Sequence, residues 1–260
     1  MNLLKRLLSI QEIRKVPEVT ILFWIIKLLT TAMGESTSDF LVHTINPIYA
    51  VILGGIGFAI AIVLQFSVRK YVPWIYWLTV TMVAIFGTMA ADVVHIVLGV
   101  PYFISTIAFA IALTIIFIVW HRTEKTLSIH SIFTPRRELF YWATVIVTFA
   151  LGTAAGDMTA ITFHLGYLTS GILFAVLFAI PLLANKMFTV NEVLAFWSSY
   201  VVTRPFGASF ADWFGRTPDM GGIGFGTGRA SIVLTIIIII FVGYLTIAKK
   251  SIKAKNVEQL

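Results

Sequence analysis

The stretch WATVIVTFALGTAAGD at residues 142–157 decides the reading of this chain, because its frame occurs three more times. Residues 24–39 read WIIKLLTTAMGESTSD, 77–92 read WLTVTMVAIFGTMAAD, and 197–212 read WSSYVVTRPFGASFAD. Each copy is Trp, nine residues, Gly, four residues, Asp, without insertion. The triplets are Trp24, Gly34 and Asp39; Trp77, Gly87 and Asp92; Trp142, Gly152 and Asp157; and Trp197, Gly207 and Asp212. Fixed spacing in four copies establishes an internal repeat. Each copy lies in an apolar run of helix length, so each sets one carboxylate at the same height in a membrane-like segment. An acid there is costly to bury and marks a functional site by default.

Composition agrees with a polytopic membrane protein. Hydrophobic residues make up 58% of the 260 and charged residues 12%, and the mean hydropathy is +0.93; soluble domains do not look like this. The absence of cysteine excludes disulfides and thiolate metal sites. Residues 1–16 interleave basic and apolar positions and read as a cytoplasmic amphipathic segment on the membrane surface, too interrupted for a signal peptide.

Eight apolar segments follow: 17–40, 47–66, 72–96, 101–120, 138–160, 167–185, 191–214 and 223–247. Each is near the ~20 residues that cross ~30 Å of hydrocarbon. They lack period-two alternation, and a backbone in lipid must satisfy itself, so helices are expected. The fold class is therefore an all-α polytopic membrane protein. It has eight transmembrane helices, drawn from four parallel two-helix repeats at about 17–66, 72–120, 138–185 and 191–247, and a basic tail at 248–260.

The nineteen Lys and Arg set the orientation. Arg216 and Arg229 fall near one face, Lys27 and Arg204 lie inside spans, and the other fifteen cluster on the opposite face. That bias puts both termini in the cytoplasm and explains the net charge of +7 without a nucleic-acid partner. Two spans per unit restore the chain's direction, so the repeats are related by an axis along the membrane normal. Trp-to-Trp intervals are 53, 65 and 55 residues. The longest holds a polar connector, 121–138, between two halves of one membrane domain.

Residues four apart share a helix face. Stepping back from each Asp by one and five gives Ser38 and Gly34, Ala91 and Gly87, Gly156 and Gly152, Ala211 and Gly207. These small pairs let helices approach closely. Stepping back by four, eight and twelve gives a second face. In the first repeat it holds Glu35, Thr31 and Lys27; in the second and third it holds Thr88 and Thr153; in the fourth it holds Arg204. A Thr hydroxyl one turn below an Asp can donate to it or help ligate a cation. These faces avoid lipid if the first helix of each repeat turns inward, bringing Asp39, Asp92, Asp157 and Asp212 together at the outer mouth of a central site. The alternative is that each Asp caps its own helix end or the loop that follows. Arg204 needs an acid, Glu35 or Asp39, as ion-pair or gating partner, and the following Pro205 predicts a bend. Lys27 is expected to snorkel towards the cytoplasm. His43, His95 and His164 follow the Asp irregularly and read as polar loop residues. The four Trp read as interfacial anchors or repeat packing. The glycine-rich run 221–228 lacks a preceding strand and a Walker lysine, so it reads as a flexible outer loop.

The phrases GESTSDF, GTMAADVVH, FALGTAAGDMTA and RPFGASFADWFG, each after a Trp-bearing helix, resemble a family of bacterial integral-membrane proteins built from four tandem repeats of unknown function. The resemblance covers residues 16–247. It implies two spans and one characteristic Trp per repeat (here Trp24, Trp77, Trp142 and Trp197) and a bacterial inner-membrane location. It implies no activity.

The residues point first to a transporter whose substrate or coupling ion is a cation. The ligand set is Asp39, Asp92, Asp157 and Asp212, with Glu35, Thr88 and Thr153. Oxygen ligands without cysteine suit a proton, Mg²⁺, Mn²⁺ or Zn²⁺, the metal held by the four Asp. The alternatives are a cation channel with an acidic ring and a sensor or scaffold with a structural ion-pair core. No nucleophile–base pair or hydrolase motif appears, so no enzymatic activity is expected. No cofactor is expected beyond a divalent ion carried as substrate. The expected partners are the lipid bilayer and a small cation, with association into a homo-oligomer left open.

Overall fold

The computed structural model describes residues 14–188 and 191–258, with side chains described as far as residue 249. Eight long helices occur among these residues, and no strand. They are α1 (Ile21–Thr44), α2 (Pro47–Ser67), α3 (Pro73–Asp92), α4 (Tyr102–Glu124), α5 (Pro135–Asp157), α6 (Gly166–Phe188), α7 (Glu192–Gly215) and α8 (Thr227–Glu258). Their starts are written locally. Thr20, Asn46, Thr134 and Asn191 cap α1, α2, α5 and α7 through side-chain oxygens, and Pro opens α2, α3 and α5, where its missing N–H costs nothing. After Asp92 and Asp157 the helix widens into π turns, Val93–Val97 and Met158–Thr162. Six helices are long and apolar enough to cross a membrane; α1 and α7 are the two outside that set.

The odd-numbered helices carry the repeated stretch and form a closed ring in the order α1, α3, α5, α7, each packed on the next and α7 back on α1. Each junction is the same. A Cβ on Gly34 would strike Ala84, on Gly152 Arg204 and on Gly207 Thr31, and on Gly87 it would crowd Phe149 at 3.1 Å. In every case the target lies three residues before the next repeat's glycine. Near the helix starts, the aromatic residue before each Trp meets the next repeat's Trp. Ring centroids are 5.7 Å apart for Phe23 and Trp77, 5.6 Å for Tyr76 and Trp142, 6.1 Å for Tyr141 and Trp197, and 5.6 Å for Phe196 and Trp24. Two such contacts per junction, stepped in one direction, make the four helices parallel. A head-to-tail interface that closes is the geometry of a cyclic ring, here built within one chain.

The even-numbered helices surround the ring with a one-repeat offset: α2 packs on α3, α4 on α5, α6 on α7, and α8 returns to α1. Each repeat is thus clasped by its neighbour, and the last helix locks the circle. Their outer faces are apolar and exposed, as in the stripe Ile48, Ile52, Ile56 and Ile60 on α2. Stripes of that extent mark a lipid-facing surface.

The face at the Trp end gathers both ends of the described chain. The Lys15 amide donates to the Ile132 carbonyl (2.9 Å), the Tyr71 amide to Arg14 (2.7 Å), and the Lys249 ammonium to Tyr71. The surface segment expected at 1–16 lies largely outside the described residues, but its end departs from that reading. Residues 14–16 are not helical, Lys15 and Val16 are buried, and Lys15 pairs with fully buried Glu138, which also accepts from Gln65 at 2.8 Å. A buried carboxylate at the start of α5 pulls the segment inward. The junction between the two halves, Gly87 on Phe149, is of the same kind as the others.

Candidate functional site

Four helix faces converge on the ring's axis and stack in layers one helical turn apart. Beyond the aromatic layer come Lys27, Val80, Val145 and Tyr200, then Thr31, Ala84, Phe149 and Arg204, then Glu35, Thr88, Thr153 and Ala208, then the four Asp. Val80, Ala84, Val145, Phe149 and Tyr200 are fully buried, so side chains close the axis at these layers.

Arg204 sits in the centre at 0% exposure. Its Nη2 pairs with Glu35 of α1, reaches Thr88 of α3, and lies 2.8 Å from Thr153 of α5. One guanidinium thereby ties together all four inner helices. Glu35, not Asp39, is its acid. Pro205 lies inside α7, which runs without a break from Glu192 to Gly215. The threonines do not bond the Asp of their own helices. Each accepts from Arg204 and gives its proton to the carbonyl four residues back, Thr88 to Ala84 (2.8 Å) and Thr153 to Phe149 (3.1 Å). A buried guanidinium stays charged and takes the acceptors within its reach.

The four Asp are close enough to interact electrostatically, Asp39 with Asp92, Asp92 with Asp212, and Asp157 with both Asp92 and Asp212. They divide into two kinds. Asp39 and Asp212 are buried and share Arg216, whose Nη2 lies 3.1 Å from Asp39 and whose Nε lies 2.8 Å from Asp212. Asp92 and Asp157 are partly exposed, and their carboxylates make no hydrogen bond or ion pair among the described residues. Asp92 and Asp157 cap nothing through their side chains, whereas Asp212 bonds Arg216, the first residue after its own helix. Glu35, Asp39 and Asp212 bring ligand oxygens within 4.8 Å of one another, a spacing that suits a hard cation, although each already meets a guanidinium.

Arg216 is the residue sequence reasoning missed. Burial alone would lower its pKa, but Asp212 and Asp39 outweigh that and raise it, so it stays charged. Its position four residues after Asp212 is the helical ion-pair spacing, and that was the available signal. Its guanidinium also lies 5.2 Å from the Tyr167 ring centroid.

Three further expectations give way. Lys27 does not snorkel; it is fully buried, with its ammonium 4.1 Å from the Phe149 ring centroid and 4.4 Å from that of Tyr200. His43 and His95 are no loop residues. His43 lies in the last turn of α1, its Nδ1 2.7 Å from the Asp39 carbonyl oxygen. His95 sits buried in the π turn after Asp92, its Nδ1 3.2 Å from the Val100 carbonyl and its ring 4.3 Å from Tyr102. The run 221–228 is not free. The amides of Ile223, Phe225 and Gly226 donate to the Trp213, Phe214 and Gly215 carbonyls, satisfying acceptors that a helix end leaves open. Positive φ at Gly221, Gly224 and Gly226 permits that path. Of the two readings of the Trp, repeat packing describes Trp77, Trp142 and Trp197, which are buried, while Trp24 is half-buried.

Comparison with curated proteins yields no match, and neither does comparison with solved structures. A family model matches four times in tandem, at residues 22–71, 75–126, 140–190 and 195–251. The chain belongs to the family described as Repeat of Unknown Function (DUF347), of which it carries four copies.

Proposed function

We propose that this protein is an eight-span transporter of the bacterial inner membrane, with both termini in the cytoplasm and a cation as substrate or coupling ion. Helices α1 and α7 complete the span count. Each has 24 residues, about 36 Å at 1.5 Å per residue, and their polar side chains point into the ring, away from lipid. The basic face at the Trp end is the cytoplasmic one on the charge-bias rule, which leaves the Asp layer towards the outer mouth.

One observation carries the reading. Of the five carboxylates at the axis (Glu35, Asp39, Asp92, Asp157, Asp212), three meet a guanidinium, Glu35 that of Arg204 and Asp39 and Asp212 that of Arg216, and two meet none. Those two, Asp92 and Asp157, are also partly exposed. Uncompensated charge at membrane depth is costly, so a proton or a metal cation is required there. Mg²⁺, Mn²⁺ and Zn²⁺ fit the oxygen donors. The ion is substrate, and no resident cofactor and no enzymatic step is part of the reading.

A second reading has its own support. Glu35, Asp39 and Asp212 are already satisfied by Arg204 and Arg216, which is what a structural ion-pair core in a sensor or scaffold requires. The side chains that close the axis argue against an open channel. Flux in liposomes separates the two. Asp92→Asn and Asp157→Asn keep size and hydrogen bonding while removing charge. On the transporter reading they purify normally and lose proton- or metal-driven flux, with Mn²⁺, Mg²⁺, Zn²⁺ and proton gradients assayed in parallel. If the wild type moves none of these and both variants melt earlier, the scaffold reading stands instead.

A further inference from the structure

Below the Asp layer the charge reverses. Lys27 and Arg204 are both fully buried and both lie against one ring, Phe149, with the Lys27 Nζ at 4.1 Å and the Arg204 Cζ at 5.5 Å from its centroid. Two basic side chains therefore meet at one ring, and a single carboxylate, Glu35, bonds only one of them, through Nη2 of Arg204. The Lys27 ammonium and the Nε and Nη1 of Arg204 have no hydrogen-bond partner among the described residues. All three are donors with no acceptor capacity when charged. Aromatic faces compensate a buried ammonium only in part, since their attraction is small beside the loss of hydration. Lysine is almost never fully buried without a partner. Arg204 cannot shed its proton, so its open N–H groups need an acceptor whatever Lys27 does.

We propose that Lys27 and Arg204 bind a small monovalent anion of halide size between them, beside Phe149 and Tyr200. One such ion accepts from the orphaned donors and balances the one cation that Glu35 leaves over. Aromatic walls and the absence of another charged group at this ring favour a weakly hydrated ion over a phosphate or sulfate. The site is separate from the Asp layer, so it stands or falls independently of cation transport.

The test uses the purified full chain in detergent and its crystals grown in bromide. Wild-type protein is melted in sodium chloride and in sodium gluconate at equal ionic strength. Chloride above its dissociation constant should raise the melting temperature by on the order of 2–4 °C. Lys27→Met, which keeps the apolar stem, should melt at the same temperature in both salts. Anomalous bromide density within hydrogen-bonding distance of both Lys27 and Arg204 would complete the assignment. That measurement needs only the wild type, so it decides even where Lys27→Met fails to fold. Water in place of bromide, or equal melting of wild type in chloride and gluconate, overturns the proposal.

Discussion

Repeats two and three differ from repeats one and four although all four hold equivalent places in the ring. In α3 and α5 the axis-facing residues below the Asp are Val80, Ala84 and Thr88, and Val145, Phe149 and Thr153. Those helices are apolar enough to be read as spans unaided, and both pass from Asp into a π turn. In α1 and α7 the same positions carry Lys27, Thr31 and Glu35, and Tyr200, Arg204 and Ala208. These two helices are neighbours, because α7 closes on α1. The added charges therefore fall on one side of the ring, where Glu35 can meet Arg204 and Asp39 can share Arg216 with Asp212. The side built from α3 and α5 keeps bare carboxylates next to π turns, which recur at functional sites. A fourfold scaffold has become a two-sided one, a clamped side and an open side.

The clamp is the easiest part to break. Arg204→Ala removes the group that touches three other inner helices and leaves Glu35 buried without its cation. Such losses run to ~3–5 kcal/mol, read as reduced thermal or denaturant stability of the purified protein. Adding Glu35→Gln should recover part of it; strictly additive losses would show that the two are not coupled. The scaffold itself is tested by Gly152→Leu, which drives a side chain into Arg204 and Pro205. Overpacking of this kind costs ~1–3 kcal/mol. Gly243→Leu, at a glycine with nothing within 4 Å, should cost almost nothing, and equal losses at both sites would refute the tight-junction account.

The ring was nearly legible in the sequence. Spacing from Trp to Gly to Asp gives the helix, its inward face and its close-packing positions. What spacing cannot give is the handedness and partner of each junction, Gly34 on Ala84 for example, because that depends on how whole helices are set side by side. The aromatic residue before each Trp (Phe23, Tyr76, Tyr141, Phe196) was a readable fourth mark of the repeat. Side-chain partners were less legible. Lys27 is near enough to a helix start to snorkel, and only the burial of that layer under the aromatic ring excludes it. Thr88 and Thr153 were assigned to the Asp one turn on, whereas a guanidinium from another helix takes them. Local spacing has no access to a competitor 51 or more residues away in sequence.

Arg216 sets the next, smaller effect. It occupies the place a cation would take between Asp39 and Asp212, and it is partly exposed at the end of α7. Its loss leaves buried Asp39 and Asp212 without a cation beside solvent, so Arg216→Gln should lower stability in metal-free buffer by ~1–3 kcal/mol, less than Arg204→Ala. It should also gain stability on addition of Mn²⁺ or Mg²⁺ beyond any gain of the wild type. If the ions stabilise both proteins alike, Arg216 is not standing in for a cation.

The smallest effect is the sharpest test of the two-sided reading, because it compares one substitution at four equivalent places. Asp39→Asn and Asp212→Asn each leave Arg216 with half of its partners, so both should lose stability, by ~0.5–1 kcal/mol for a partly exposed pair. Asp92→Asn and Asp157→Asn break no hydrogen bond or ion pair among the described residues and relieve charge held next to other acids. They should change stability by no more than ~0.5 kcal/mol, in either direction. The fourfold scaffold alone predicts four equal losses, since the four helices meet through the same junctions. Denaturation of all four variants under one condition therefore reads the asymmetry directly. Equal values would mean that Arg216 imposes no distinction between the clamped and open sides, and the open pair would lose its claim to be where the ion binds.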